Sequence, residues 1–168
     1  MAPILNDHSL EFISRSPEQT RRVGARLGQL LQGGEVICLQ GGLGAGKTVL
    51  CQGIGRGWGV AQPLISPTFV LMRQHRRPSG HQMLIHLDFY RLEDPREADG
   101  LGLDDWLGHP DVVSVIEWPE RAAAVLPEEH LWIQIDTIGE EQRRLLFTAH
   151  GPSYHDMLLA FRQATFGV

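Results

Sequence analysis

The feature that most constrains this chain is a glycine-rich stretch, CLQGGLGAGKTVLC, at residues 38–51. Gly41, Gly46, Lys47 and Thr48 satisfy the pattern GxxxxGK[ST], between the short apolar run EVICLQ and a helical pattern that starts near Lys47. Glycines let successive backbone N–H groups face a phosphate, and the following helix N-terminus adds partial positive charge. The pattern predicts a strand, a phosphate-binding glycine loop and a helix.

Lys47 is the only lysine in the chain, whereas the other 14 basic residues are Arg. A lysine ammonium is a compact charge on a thin stem that can enter the loop and bridge the terminal phosphates, whereas the planar fork of Arg is too broad. The single departure from a strong preference for Arg therefore indicates a functional constraint. An incidental lysine in a glycine-rich turn is the alternative, and the flanking strand and helix patterns disfavour it.

The 168 residues alternate strand and helix patterns and predict one domain, residues 1–168. SPEQTRRVGARLGQLLQGG predicts a helix with Ser16 as N-cap, Pro17 at the first position and Gln19 completing a capping box. LISPTFVLM and HQMLIHLDFY are predicted strands around a mobile polar loop, RQHRRPSG. DPREADGLGLDDWLG predicts one or two short helices, DVVSVIEW a strand, and LWIQI and RRLLFTAH a hairpin before a C-terminal helix. The expected fold class is α/β, a three-layer P-loop NTPase-like fold whose mainly parallel sheet has an antiparallel edge hairpin.

Composition excludes several classes of protein. No apolar run approaches the roughly 18 residues of a membrane helix, and the N-terminus lacks an export pattern. We therefore expect a cytoplasmic protein that does not associate with a membrane. The net charge of -5 argues against direct binding of nucleic acid. Cys38 and Cys51 are expected to be buried thiols, and the absence of CxxC or HxxxH spacing argues against a zinc site.

Two apolar runs end in acids, MLIHLD at Asp88 and VVSVIE at Glu117. A nucleotide on a phosphate loop needs Mg²⁺ held by the loop Thr, here Thr48, and by an acid that ends a neighbouring strand. The two acids suggest a division of labour, in which one holds magnesium and the other orients the attacking water or substrate. The patterns leave open which acid has which role.

Two further residues are candidates on weaker grounds. SPTF places Thr68 before a predicted strand, where its hydroxyl could sense a third phosphate, although a simple Ser-Pro turn explains it equally well. Trp118 directly follows Glu117 and could form a wall of the site or pack in the core. The Asn-Lys-x-Asp motif that recognises guanine is excluded, because the only Asn is Asn6 and the only Lys is Lys47. ATP is therefore the better candidate for the bound nucleotide.

The motifs GGLGAGKT, SPTF, HLDFYR and IEWPE, in this order and spacing, resemble the TsaE family of bacterial ATPases that act in threonylcarbamoyladenosine modification of tRNA. The resemblance extends from SPEQT to about LWIQI. It departs at Gly42, where the family usually has Asp in GDLGAGKT, so any role of that acid is absent or moved.

The resemblance implies a set of site residues. Mg²⁺ would lie at Thr48 and Glu117, Asp88 would contribute to catalysis with Lys47 and Thr68, and Tyr90, Arg91 and Trp118 would lie nearby. ATP would lie on the glycine loop, with Thr20 near the adenosine; the residues implied to bind it are Thr20, Leu43, Gly44, Ala45, Gly46, Lys47, Thr48 and Trp118. The implied partners are the TsaB and TsaD proteins. ATP hydrolysis would reset the complex of these two proteins between turnovers, and tRNA would be bound only indirectly.

Two other functions stay open at this point. A small-molecule kinase could use RQHRRPSG as an arginine lid over the transferred phosphate, although no motif identifies an acceptor pocket. A non-catalytic switch could bind ATP and be read by partner proteins without turnover.

Overall fold

The computed structural model describes residues 4–5, 8–65 and 71–168. Within these residues it contains three α-helices and eight strands. The helices are α1 (Pro17–Leu30), α2 (Lys47–Trp58) and α3 (Pro152–Phe166). The strands are β1 (Ile4–Leu5), β2 (Ser9–Ser14), β3 (Val36–Gln40), β4 (Met72–Arg76), β5 (Met83–Asp88), β6 (Val112–Glu117), β7 (His130–Thr137) and β8 (Arg143–His150). Short 3-10 helices occupy Pro95–Leu101, Leu103–Asp105 and Pro119–Val125.

All strands belong to one sheet in the order β1-β2-β8-β7-β3-β6-β5-β4. The four strands β7, β3, β6 and β5 are parallel to one another, and the pairs on both sides of them are antiparallel. Every residue of β6 is buried, which suits a continuous apolar run covered on both faces. The predicted α/β, P-loop NTPase-like fold is confirmed.

The predicted hairpin is present as β7 and β8, but β8 does not lie at the edge of the sheet. Strand β2, with the sequence SLEFIS, pairs antiparallel to β8, and β1 pairs beyond it. The buried positions of β2 alternate with half-buried ones, as in a strand with one face toward the core. Our sequence analysis assigned no strand to this segment.

Strand β4 corrects a second expectation, because it occupies MRQHR in the segment predicted to be a mobile loop. Residues 66–70, within the strand that we predicted there, lie outside the described residues. In the described part of the chain β4 pairs only with β5 and ends the sheet. An edge strand can expose polar side chains without cost, so it does not need the apolar pattern by which buried strands are identified.

The three α-helices share the larger apolar core on one face of the sheet, and the 3-10 helices cover a smaller core on the other. Helices α1 and α2 approach closely at Gly24, Gly28, Gly53 and Gly57. A Cβ built on Gly57 would lie 2.0 Å from the backbone oxygen of Ala25, far inside contact distance. The contact between these helices is therefore backbone against backbone.

The start of α1 follows its sequence signals closely. Ser16 is the N-cap, and its side chain accepts a hydrogen bond from the backbone N–H of Gln19. The Gln19 side chain accepts from the N–H of Arg15, at 2.7 Å, and not from the N-cap residue as a full capping box requires. Among the described residues, no helix combines the length and apolarity needed to cross a membrane.

Candidate nucleotide-binding site

A cavity of about 640 Å³ opens at the carboxyl ends of the parallel strands, where β3, β6 and β5 lie side by side. This is the edge at which open α/β sheets usually bind ligands. The cavity is lined by Leu43, Gly44, Gly46, Lys47, Thr48, Val49, Leu71, Asp88, Tyr90, Arg91, Glu97, Glu117 and Trp118. Most of the residues that our sequence analysis singled out therefore meet in one place.

The glycine loop connects β3 to α2 in a conformation that requires glycine at two positions. Gly44 has φ 74° and Gly46 has φ 105°, both in the left-handed region that side chains disfavour. Gly46 precedes the first residue of α2, and its carbonyl accepts a hydrogen bond from the N–H of Leu50. The loop therefore delivers Lys47 and Thr48 to the first turn of a helix whose N-terminus faces the cavity.

Lys47 turns back into its own loop. Its Nζ donates to the carbonyl oxygens of Gly41 at 2.6 Å and Gly42 at 2.7 Å, and only 6% of the residue is exposed. Burial lowers the pKa of Lys47, while the charges of Glu117 and Asp88 oppose that change. The ammonium thus occupies the mouth of the loop, the position from which it could contact a bound phosphate.

Arg143 contacts the outside of the glycine loop. Its Nε donates to the carbonyl of Ala45 at 2.9 Å, and a terminal nitrogen lies 3.4 Å from the carbonyl of Gly44. The other terminal nitrogen donates to three carbonyls of the β7–β8 turn, those of Gly139, Glu140 and Gln142. Arg143, at the start of β8, therefore connects this turn to the loop backbone. Our sequence analysis did not single out this arginine, and no local pattern could have identified it.

Asp88 and Glu117 end adjacent parallel strands and are register partners, so their side chains lie on the same face of the sheet. The β6–β3 pairing then places Glu117 opposite Leu39, just before the glycine loop. Two neighbouring carboxylates repel each other unless a cation lies between or beside them. Their arrangement, on the same cavity as Lys47 and the exposed Thr48, suits a bound divalent cation.

Glu117 also belongs to a buried polar cluster behind the cavity. Its Oε2 lies 2.7 Å from Nε2 of His86, and the same nitrogen lies 3.7 Å from Sγ of Cys51 on α2. All three residues are buried, and burial raises the pKa of the Cys51 thiol well above its usual value. The expectation that the cysteines are buried thiols is confirmed. Our argument against zinc, however, considered only the spacing of cysteines and histidines along the sequence. It does not apply to a cluster whose residues come from three separate elements.

Trp118 has φ 57°, and it is the only residue other than glycine with a positive φ in the described part of the chain. Such a conformation costs of the order of 1–2 kcal/mol and is found where a structure enforces it. Here it turns the chain so that the indole ring lies 4.6 Å from Lys47 Nζ and 5.0 Å from the ring of Tyr90. Arg121 lies over both rings. Trp118 therefore forms a wall of the cavity, the first of the two alternatives considered for it.

Two predicted site residues in the described part of the chain, Ala45 and Thr20, are not among those that line the cavity. Thr68 lies outside the described residues. Ala45 is a buried residue of the loop, and its carbonyl accepts a hydrogen bond from Arg143. Thr20 is 2% exposed, and its hydroxyl lies 2.6 Å from that of Ser14. The Thr20 side chain therefore packs at the N-terminal end of α1, and it is not among the described residues that line the cavity.

Gly42, where the resemblance leads us to expect Asp, is exposed, and a Cβ built on it would meet no atom within 4 Å. An aspartate would therefore fit at this position without displacing a neighbour. The carbonyl of Gly42 already serves the loop, because it accepts hydrogen bonds from Lys47 and from the N–H of Ala45. The geometry of the loop does not depend on a side chain at position 42.

Comparisons with known proteins point to one family. A family model described as "Threonylcarbamoyl adenosine biosynthesis protein TsaE" matches residues 14–145. The tRNA threonylcarbamoyladenosine biosynthesis protein TsaE of Mycobacterium tuberculosis is 41% identical over 143 residues, covering 81% of this chain and 84% of that protein. The Bacillus subtilis protein of the same name is 35% identical over 145 residues, which cover 86% of this chain and 89% of that protein.

A solved structure gives the same result. The crystal structure of Bacillus subtilis YdiB superimposes with a TM-score of 0.78 at 28% identity, covering 95% of this chain and 98% of that one. The resemblance identified from four short motifs is thus confirmed by similarity over most of the chain. With the family model matching well over half of its residues, this chain belongs to the TsaE family.

Proposed function

We propose that the chain binds ATP with Mg²⁺ at this cavity and hydrolyses it in the biosynthesis of tRNA threonylcarbamoyladenosine. Family membership supports the pathway, because the relatives carry that pathway in their names. The observation that carries the proposal is the meeting of the glycine loop, Lys47 and the two acids at the ends of β5 and β6 around one cavity.

The donor set of the cavity fits magnesium. Mg²⁺ prefers oxygen ligands, and the Thr48 hydroxyl with the Glu117 carboxylate offers two beside the loop. When bound, the ion would neutralise charge on the phosphate oxygens of ATP. Glu117 would be the protein carboxylate that holds it, because β6 is the strand next to the loop strand β3.

Asp88 lies one strand further from the loop, and we assign it to the attacking water. Its Oδ1 accepts a hydrogen bond from the N–H of Tyr90 at 2.9 Å, which holds the carboxylate toward the cavity. A carboxylate at this position can accept a hydrogen bond from a water molecule and orient that water while the strand itself stays in place. Lys47 would contact the terminal phosphates once its contacts with the carbonyls of Gly41 and Gly42 are exchanged for them.

Activity in partnership with the TsaB and TsaD proteins is the finer part of the proposal, with hydrolysis resetting their complex between turnovers. The net charge of -5 offers no electrostatic drive toward tRNA, which favours indirect involvement of the nucleic acid. Leu43 is 74% exposed at the rim of the cavity, and Ile65 is 64% exposed. Large apolar side chains in such positions are suited to contact with another protein.

The kinase alternative loses its main argument. The arginine segment expected to close over a transferred phosphate forms β4 and the turn after it, and Arg77 lies over the ring of Trp58 at 4.1 Å. None of Arg73, Arg76 and Arg77 is among the described residues that line the cavity. The non-catalytic switch differs from the ATPase only in turnover, so measurement separates the two.

The test is phosphate release from ATP and Mg²⁺ by the isolated chain, then with TsaB and TsaD, then with candidate acceptor metabolites. We expect slow hydrolysis alone, faster hydrolysis with both proteins, weak tRNA binding by the chain alone and no response to acceptors. Nucleotide binding without turnover under every condition would establish the switch instead. A rate indifferent to both proteins, or tight salt-sensitive tRNA binding by the chain alone, would refute the partnership.

A further inference from the structure

The buried cluster behind the cavity contains three different metal-ligating groups. One ligand atom each from Cys51, His86 and Glu117 lies within 4.8 Å of the others, and all three residues are buried. They come from α2, β5 and β6, respectively, so the cluster exists only in the folded chain. Among the described residues it is the one group of three or more such side chains at this spacing.

The arrangement is not that of a nucleophilic triad. In a triad the central histidine uses one ring nitrogen toward the nucleophile and the other toward the acid. Here Cys51 Sγ and Glu117 Oε2 both face Nε2 of His86, at 3.7 Å and 2.7 Å. The other ring nitrogen, Nδ1, is buried without a hydrogen-bond partner in the described part of the chain. Three ligand types converging on one point are the pattern of a cation site.

We infer that Cys51, His86 and Glu117 form a binding site for a thiophilic divalent cation, of which Zn²⁺ fits the ligand set best. A tetrahedral zinc with bonds of about 2.3 Å to sulfur and about 2.0 Å to nitrogen places those two ligands about 3.5 Å apart. The observed 3.7 Å between Cys51 and His86 is close to that value. A thiolate and an imidazole do not suit Mg²⁺ or Ca²⁺, which prefer oxygen.

The cation can reach the site from the nucleotide cavity, because Glu117 lines that cavity while it contacts His86. Three protein ligands leave a fourth position for water or a phosphate oxygen on the cavity side. On binding, the Cys51 thiol gives up its proton, and the bond from His86 to Glu117 is replaced by bonds to the cation. Because Nδ1 has no outer acceptor among the described residues to strengthen the histidine as a ligand, we expect weaker binding than at a structural zinc site.

Occupation of this site has a consequence for the proposed ATPase, and this step alone rests on the proposed function. Glu117 would be shared between the Zn²⁺ site and the Mg²⁺ site, and it cannot serve both at full strength. We therefore expect Zn²⁺ to inhibit ATP turnover by withdrawing Glu117 from magnesium. The inhibition should depend on Cys51, which has no part in the magnesium site.

The experiment uses Co²⁺ as a spectroscopic substitute for zinc on the full, metal-free chain. We expect the near-ultraviolet charge-transfer absorption of a cobalt–thiolate bond, saturating at one Co²⁺ per chain and displaced by Zn²⁺. Cys51→Ser should abolish the band, whereas Cys38→Ser, which removes the only other cysteine, should retain it. His86→Gln should weaken Co²⁺ binding by about tenfold or more.

Circular dichroism checks that each variant is folded, and the wild-type titration decides the matter if one is not. Absence of the band in the wild-type chain, or its persistence in Cys51→Ser, would overturn the site. Zn²⁺ inhibition of phosphate release should need at least about tenfold more zinc in Cys51→Ser than in Cys38→Ser, and equal sensitivity would overturn the inhibitory role. A cobalt band in a chain without ATPase activity would leave this site standing and refute the proposed function.

Discussion

The two sides of the cavity are held in place by different means. On the loop side, α2 meets α1 through glycines, with backbone against backbone, and Arg143 contacts the loop carbonyls from outside. On the acid side, Glu117 and Trp118 are placed by side-chain contacts with His86, Lys47 and Tyr90. The loop side should therefore fail through changes of volume, and the acid side through changes of charge or hydrogen bonding.

The largest effect is expected from Gly57→Ala, which tests the backbone contact on the loop side. A Cβ there would lie 2.0 Å from the oxygen of Ala25, so the helices must separate, at a cost of about 3 kcal/mol. In a domain of this size that lowers the midpoint of thermal unfolding by about 6–12 °C. Gly100→Ala is the control, because a Cβ there meets nothing within 4 Å. Equal midpoints for both variants would contradict the backbone-contact interpretation.

Lys47→Ala tests the point where the two sides meet. Loss of a charge-assisted phosphate contact should weaken nucleotide binding by on the order of 1.5–3 kcal/mol, with turnover reduced at least as much. Lys47→Arg should not restore activity, because a planar fork does not fit among the carbonyls that receive the ammonium. Calorimetry with ATP and an assay of phosphate release measure the two effects. Wild-type hydrolysis in Lys47→Ala would remove the assignment of the site.

Glu117→Gln and Asp88→Asn divide the acid side into its two proposed roles. A metal ligand acts already in the ground state, so Glu117→Gln should weaken magnesium dependence and nucleotide binding. A water-orienting group acts chiefly in the transition state, so Asp88→Asn should lower turnover by more than it weakens binding. Titrations of Mg²⁺ and ATP against both variants measure the difference. If Asp88→Asn abolishes magnesium dependence and Glu117→Gln does not, the roles are reversed.

Arg143→Ala should have the smallest effect, about 1 kcal/mol, seen mainly as weaker ATP binding. The substitution leaves the carbonyls of Gly44 and Ala45 to water and loosens the loop without touching the reacting atoms. The matched control is the neighbouring Arg144→Ala, which removes only a partly exposed ion pair with Asp136 and should leave ATP affinity unchanged. Identical ATP affinities for the two variants would show that Arg143 does not support the loop.

Local sequence patterns predicted the elements that depend on local causes. The glycine loop, the N-cap at Ser16 and the buried strand β6 each follow from neighbouring residues, and each lies where it was expected. Asp88 and Glu117 were found by the same means, since the end of an apolar run marks the end of a buried strand. Their pairing in register follows once the two strands are parallel neighbours.

Features that depend on distant contacts were missed. Arg143 is separated by 98 positions in the sequence from Ala45, the loop residue that it contacts. His86 is separated by 35 positions from Cys51 and by 31 positions from Glu117. Strand β4 was assigned to a loop because an edge strand needs no apolar pattern. No periodicity in the sequence encodes these pairings.

The glycine contact between α1 and α2 also limits how this domain can move. Side chains at a helix interface can change rotamer and let helices slide, but a contact made by two backbones has no such adjustable layer. The two helices should therefore behave as one mechanical unit, so that any displacement of α2 at the glycine loop is carried to the start of α1. That end of α1 carries the buried hydroxyl pair of Ser14 and Thr20, so this pair should shift together with the glycine loop.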